Sequence, residues 1–293
     1  CGSKLLFHRR PVPTAHRHVL LPGCVVHQTE EPDPLPNMQR TRQVRMEHRL
    51  DTFSVWEALK AGDECPLCTL RRKTERQLIE RCLGSAVMSP LERQRSNESG
   101  FCACHHRQIY GMNNRLGHAL LSLSRLQTLR PQLESVFRQI ESGKRRRLTL
   151  RKIPSDTSCQ ALKRLSGGCL ICQDLEVHSS RQAETLLYLW QKDPDFKAKF
   201  AASRWVCLPD AARLAKMASK LPVRERKEFL ACLRRGMAEN LARLEEELDW
   251  FTRKFDYHNL DAPWGESKDA LERTANKLGG WCLGNEPLDG NTF

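Results

Sequence analysis

A chain of 293 residues has room for one large or two modest domains, and its thirteen cysteines are too clustered for the disulfide framework of a small secreted protein. Lys and Arg outnumber Asp and Glu by 48 to 35, a net charge of +13, but residues 1–45 carry +4 of it and residues 138–152 another +6, which leaves the rest close to neutral. No apolar run approaches the roughly 18 residues of a membrane span, and the cysteines fall in Cys-x-x-Cys pairs, so a metal-binding protein of a reducing compartment, the cytoplasm, is the expected class.

Residues 1–45 are expected to be a disordered or artefactual extension, because Pro11, Pro13, Pro22, Pro32, Pro34 and Pro36 interrupt every helical period there. Leu21-Pro22-Gly23-Cys24 has no apolar region before it and is rejected as a lipoprotein cleavage site; Met46 is a candidate start. Organised structure begins with a short predicted helix around Val55–Lys60, ended by Gly62. A longer helix is predicted over Thr69–Leu83, with Leu70, Leu78, Ile79 and Cys82 on one face. Ser89-Pro90 then reads as the cap and first turn of another helix running toward Gly100. Ile109, Met112, Leu116, Leu120 and Leu123 predict one further helix, restarted at Pro131.

The same layout returns in a second copy. Cys65 and Cys169 are 104 residues apart, Cys68 and Cys172 are 104, and Cys102 and Cys207 are 105, a register that marks an internal duplication. Helices are predicted over Cys159–Leu165 ended by Gly167, over Leu175–Trp190, and after Asp193-Pro194 to Ser203. The long stripe from Phe229 through Leu244 to Phe255 predicts one further helix, with a last one over Ser267–Leu278. The expected fold is therefore all-α, an internally duplicated helical zinc-binding module with two related halves. Its expected parts are residues 46–143, a basic linker over 144–154, and residues 155–293.

Two cysteines separated by two residues can face one ion, and a second pair from far along the chain completes a tetrahedron; zinc accepts that mixture of sulfur and imidazole. For the first site the expected ligands are Cys65, Cys68, Cys102 and His105, with Cys104 left as a free thiol. For the second they are Cys169, Cys172, Cys207 and Asp210, in which Asp210 stands where His105 stands in the first. Carboxylate oxygen can ligate zinc, so a weaker structural site is the first reading there; water, His178 or Cys159 in the fourth place is the alternative.

Asp51-Thr52, Val55-Trp56, Cys65-Pro66-Leu67-Cys68, Gly100-Phe101-Cys102 with His105, Asn114-Arg115-Leu116-Gly117, Lys254-Phe255-Asp256-Tyr257 and Pro263-Trp264-Gly265 together resemble an uncharacterised bacterial family known as a domain of unknown function. The resemblance covers roughly residues 46–280 and implies a cytoplasmic bacterial protein with paired cysteine motifs. It brings no activity.

Toward the C-terminus, Asp256 and His258 could form an acid–base pair, but no nucleophile or phosphate loop accompanies them. A turn with Tyr257 and Trp264 as packing anchors is the expected role. The expected function is thus a non-enzymatic, zinc-stabilised helical module that binds a protein partner. Nucleic-acid binding through the basic linker Arg145–Lys152, and a zinc or thiol enzyme using Cys104 or an open second site, are the two alternatives.

Overall fold

The computed structural model describes residues 51–141 and 156–283, and the expected extension over 1–45 and linker over 144–154 lie outside them. Among the described residues every regular element is a helix. In chain order these are α1 (residues 51–60), α2 (Pro66–Leu83), α3 (Ser85–Met88), α4 (Pro90–Ser99), α5 (Ala103–Gly111) and α6 (Arg115–Glu141). They are followed by α7 (Asp156–Ser166), α8 (Leu170–Lys192), α9 (Pro194–Ala201), α10 (Leu208–Met217), α11 (Val223–Arg253) and α12 (Ala270–Gly279).

Local chemistry sets most of these boundaries. Ser89 accepts a hydrogen bond from the Glu92 N–H and Pro90 opens α4, as predicted. Asp193 plays the same part for α9 by accepting from the Asp195 and Phe196 N–H groups. Three predicted boundaries are corrected. The stripe from Ile109 to Leu123 is split between α5 and α6, because the chain turns through Asn113 at φ 59°. And α6 runs straight past Pro131, whose ring removes only a bond to a carbonyl that water can reach. The last helix starts at Ala270 rather than Ser267.

The packing is organised by α2 and α8, which lie antiparallel. Arg81 meets Asp174 at one end of the pair, Thr74 meets Gln182 further along, and Arg71 meets Ser179. The C-terminal end of α2, with Leu78, Ile79 and Cys82, shares a core with Cys169, Leu170 and Ile171 at the start of α8. The N-terminal end of α2 shares the other core with Leu186, Leu187 and Trp190 at the end of α8. Each core is therefore built from both halves of the sequence.

Trp205 anchors the larger core from an unusual backbone. It is buried at φ 62°, beside Phe200 at 4.7 Å between ring centroids. The indole nests on Gly236 of α11: a Cβ placed there would lie 1.8 Å from the ring. We expect Gly236→Ala to destabilise the fold by about 1–3 kcal/mol through overpacking. An unchanged urea midpoint would show that the indole has room to shift.

Candidate metal centres

All four motifs have one local design. Cys65, Cys102, Cys169 and Cys207 are the N-cap residues of α2, α5, α8 and α10, each in extended backbone. Cys68, His105, Cys172 and Asp210 follow three residues later, on the first helical turn, so both side chains of a motif lie at the same helix end. The free N–H groups and the positive end of the helix dipole favour thiolate there. The four N-caps fall into two conformational pairs. Cys65 (φ −151°, ψ 110°) matches Cys169 (φ −158°, ψ 117°), and Cys102 (φ −77°, ψ 167°) matches Cys207 (φ −71°, ψ 164°). The residue three before Cys102 in the lead-in is Ser99, then Gly100 at φ 67°; Trp205 at φ 62° holds the matching place before Cys207.

The eight expected residues converge in two groups of four, but the expected grouping is wrong. One group is Cys102, His105, Cys169 and Cys172; the other is Cys65, Cys68, Cys207 and Asp210, and within each the candidate ligand atoms all lie within 4.8 Å of one another. Each group thus takes one motif from each half. The reason is helix length. Cys65 and Cys68 sit at the start of α2, which is about 27 Å long by the helical rise. The chain leaves its far end through α3 and α4, and α4 spans only about 15 Å, so Cys102 is delivered to the end of α2 where α8 begins. A backbone bond from the Leu170 N–H to the Gly100 carbonyl, 3.0 Å, fastens that junction. The closeness of Gly168 to the Ser99 carbonyl, 2.7 Å from where a Cβ would sit, leaves no space for a side chain.

In the first group, Nδ1 of His105 faces the sulfurs of Cys102, Cys169 and Cys172 at 3.1, 3.2 and 3.4 Å. Its Nε2 faces Glu75 Oε1 of α2 at 2.9 Å. A carboxylate behind the imidazole fixes the tautomer that leaves Nδ1 free to ligate. In the second group, Asp210 Oδ2 faces Cys65, Cys68 and Cys207 at 3.3, 3.6 and 3.2 Å. Its Oδ1 faces Arg71 at 3.5 Å and Arg213 at 3.7 Å. The His-to-Asp difference between the motifs is therefore matched by a change in the supporting residue: an imidazole backed by a carboxylate becomes a carboxylate backed by guanidinium groups. Asp210 itself fills the fourth place, and His178 stands outside the cluster.

In both pockets the clustered donors shift one another's protonation. Burial pushes the Cys65 thiol up to about 11, while contacts with Cys207 and then Cys65 draw Cys68 down to about 4. Cys207 is pushed up by the sulfurs of Cys65 and Cys68, and burial followed by the charge of Cys65 raises Asp210 to about 6. In the other pocket Cys102 is drawn down by Cys169 and Cys172, and Cys172 is pushed up by Cys102. Burial opposes protonation of His105, yet the sulfurs of Cys102 and Cys169 and the Glu75 carboxylate raise it to about 12. Neighbouring negative charges in a dry pocket cannot all form unless a positive charge sits among them. Either group could hold a divalent ion that supplies that charge.

Residues that carry no motif hold the second group in place. Lys277 of α12 is fully buried and donates to the carbonyls of Glu64 and Arg204, the residues just before Cys65 and Trp205, with its ammonium 3.3 Å from the Glu64 carboxylate. Arg204, Arg243 and Arg273 also pair with Glu64. Glu75, Arg71 and Lys277 gave no sign in the sequence, where they look like charges on solvated helix faces. Glu75→Gln should lower metal affinity of the Cys102 group about 10–100-fold while leaving the Cys65 group alone. Competitive chelation, resolved by which cysteines become alkylated, measures that; equal loss at both groups would contradict it.

A family model matches residues 46–285, which includes all eight donors and the supporting Glu75, Arg71 and Lys277. The chain belongs to a family of unknown function (DUF6062). No curated protein and no solved structure matches it. In this DUF6062 chain the other candidate site is a turn. Asp256 accepts from the His258 backbone N–H at 3.0 Å and faces its Nδ1 at 2.9 Å, with both side chains exposed. Lys254 donates to the carbonyls of Asn259, Leu260 and Ala262 and so closes the loop. Trp264 packs on Phe251 at 5.7 Å, as expected of an anchor, but Tyr257 is 74% exposed and anchors nothing.

Proposed function

We propose that this protein is a zinc-stabilised helical protein-interaction module without enzymatic activity. The observation that carries the reading is the convergence of four helix N-termini into two groups of four donor side chains, with all four positions of each group supplied by the protein. Three sulfurs with one nitrogen, or three sulfurs with one carboxylate oxygen, form a closed tetrahedral set that suits zinc and leaves no position for water or substrate. With zinc bound, the first group carries about one net negative charge and the second about two, and Arg71 and Arg213 offset the greater charge. The role of the ions is to tie the two halves together.

An origin by internal duplication is part of this reading. The near-constant spacing of the cysteines, the two matched pairs of N-cap conformations and the shared positive φ at Gly100 and Trp205 support it. A reducing compartment, the cytoplasm of a bacterium, suits a chain in which the ten cysteines with described side chains are free thiols. No described helix is long and apolar enough to cross a membrane. Elemental analysis of protein purified without added metal tests the reading: close to two zinc ions per chain are expected. A chain that is fully folded and free of metal would overturn it.

A further inference from the structure

Helix α6 has an inner and an outer face. Gly117 and Leu121 are buried against the body, and Arg125 donates to the carbonyls of Asn97 and Leu165. On the outer face, positions 116, 123, 130 and 137 alternate with 119, 126, 133 and 140 at spacings of three and four through the whole helix. The first set is Leu116, Leu123, Arg130 and Phe137; the second is Ala119, Leu126, Leu133 and Ile140. All eight are exposed, Leu116 by 71%. A 3.5-residue repeat over more than three heptads, apolar at every position but Arg130, has the pattern of a coiled-coil seam rather than the broader face of a helix packed on a globular core.

We propose that this seam pairs with the same seam of a second copy of the chain, antiparallel, about a two-fold axis passing near residue 128. The order of side chains points to this occupant. In an antiparallel pair Ala119, the smallest residue of the seam, faces Phe137, the largest; Leu123 faces Leu133, and Leu116 faces Ile140. Arg130 faces Leu126, covers it with its aliphatic stem and keeps its guanidinium at the rim, where Glu134 of its own chain lies 3.6 Å away. A parallel pair would set Phe137 on Phe137, Ala119 on Ala119 and the two Arg130 charges on each other. The seam is thus complementary to itself in one direction only, as a two-fold interface requires. Pro131 lies off the seam. This inference rests on reading the chain as an interaction module, and it names the partner.

Sedimentation equilibrium on the full zinc-loaded chain should give twice the 33.7 kDa chain mass. Leu126→Glu with Leu133→Glu, both at exposed positions, should weaken association by more than about a hundred-fold while helix content and metal content stay unchanged. Benzoylphenylalanine in place of Leu123 should crosslink to the segment of the other copy that contains Leu133. Crosslinking to the segment that contains position 123 itself would mean a parallel pair and overturn the proposal, as would a dimer unaffected by the double substitution. Metal is counted on the same samples. A monomer that retains its metal overturns the pairing alone, whereas a dimer without metal keeps the pairing and overturns the zinc reading.

Discussion

Removal of metal from the native protein by a strong chelator is expected to abolish its cooperative thermal transition and most of its helical circular dichroism. With an ion bound, each group would staple α2 or α8 to the segment that follows the other: the Cys102 group would join α5 to α8, and the Cys65 group α10 to α2. Without the ions, three thiols and an imidazole or a carboxylate are left facing one another in each pocket, and their lost hydration acts against folding. Structural zinc sites contribute about 10–16 kcal/mol apparent, as large as the roughly 5–15 kcal/mol net stability of a whole domain. Most of the described α-helices, α3, α4, α5, α7, α9, α10 and α12 among them, have eleven residues or fewer, below the length that holds a helix alone in water. They should melt together once the staples are gone. An apo protein that melts sharply within a few degrees of the loaded one would show that apolar packing suffices and that the ions are accessory.

Cys102→Ser should lower the metal content by one ion per chain and expose a specific pair of thiols. With the crossed grouping, the cysteines freed for alkylation are Cys169 and Cys172, on α8, because they share their site with position 102. Cys65, Cys68 and Cys207 should stay protected at their own buried site. The within-half grouping makes the opposite forecast, since it would free Cys65 and Cys68. Peptide mapping of the native protein after brief alkylation distinguishes the two, with denatured protein giving the full set as the reference. Reaction at Cys65 and Cys68 would refute the crossed arrangement. The reciprocal Cys207→Ser should free Cys65 and Cys68 and spare Cys169 and Cys172.

Much of the molecule was written in short stretches of sequence. The all-helical class followed from apolar spacing; the starts of α4 and α9 followed from Ser89-Pro90 and Asp193-Pro194; and the eight candidate donors that the fold gathers were picked out by motif spacing. These are local properties, because a cap and a side chain three residues later are fixed by one turn of backbone whatever surrounds it. Asp210 was legible in the same way, as a carboxylate three residues after Cys207 where an imidazole stands three residues after Cys102.

Which motif meets which was decided only by tertiary structure. Residues 65 to 105 are consecutive in sequence, yet α2 is a rod that carries its two ends apart, and the antiparallel contact of Leu78 and Ile79 with Leu170 and Ile171 brings in the other half instead. The length predicted for that helix was the one available hint, since a rod of that size cannot fold its two ends onto one ion. Glu75, Arg71 and Lys277 were invisible for a related reason. A charge on a helix is read as solvated unless something is known to lie across from it, and what lies across from each of these is a ligand or ligand loop from a distant segment. Spacing along the chain determined the donors; the stiffness and direction of two packed helices determined how they are shared.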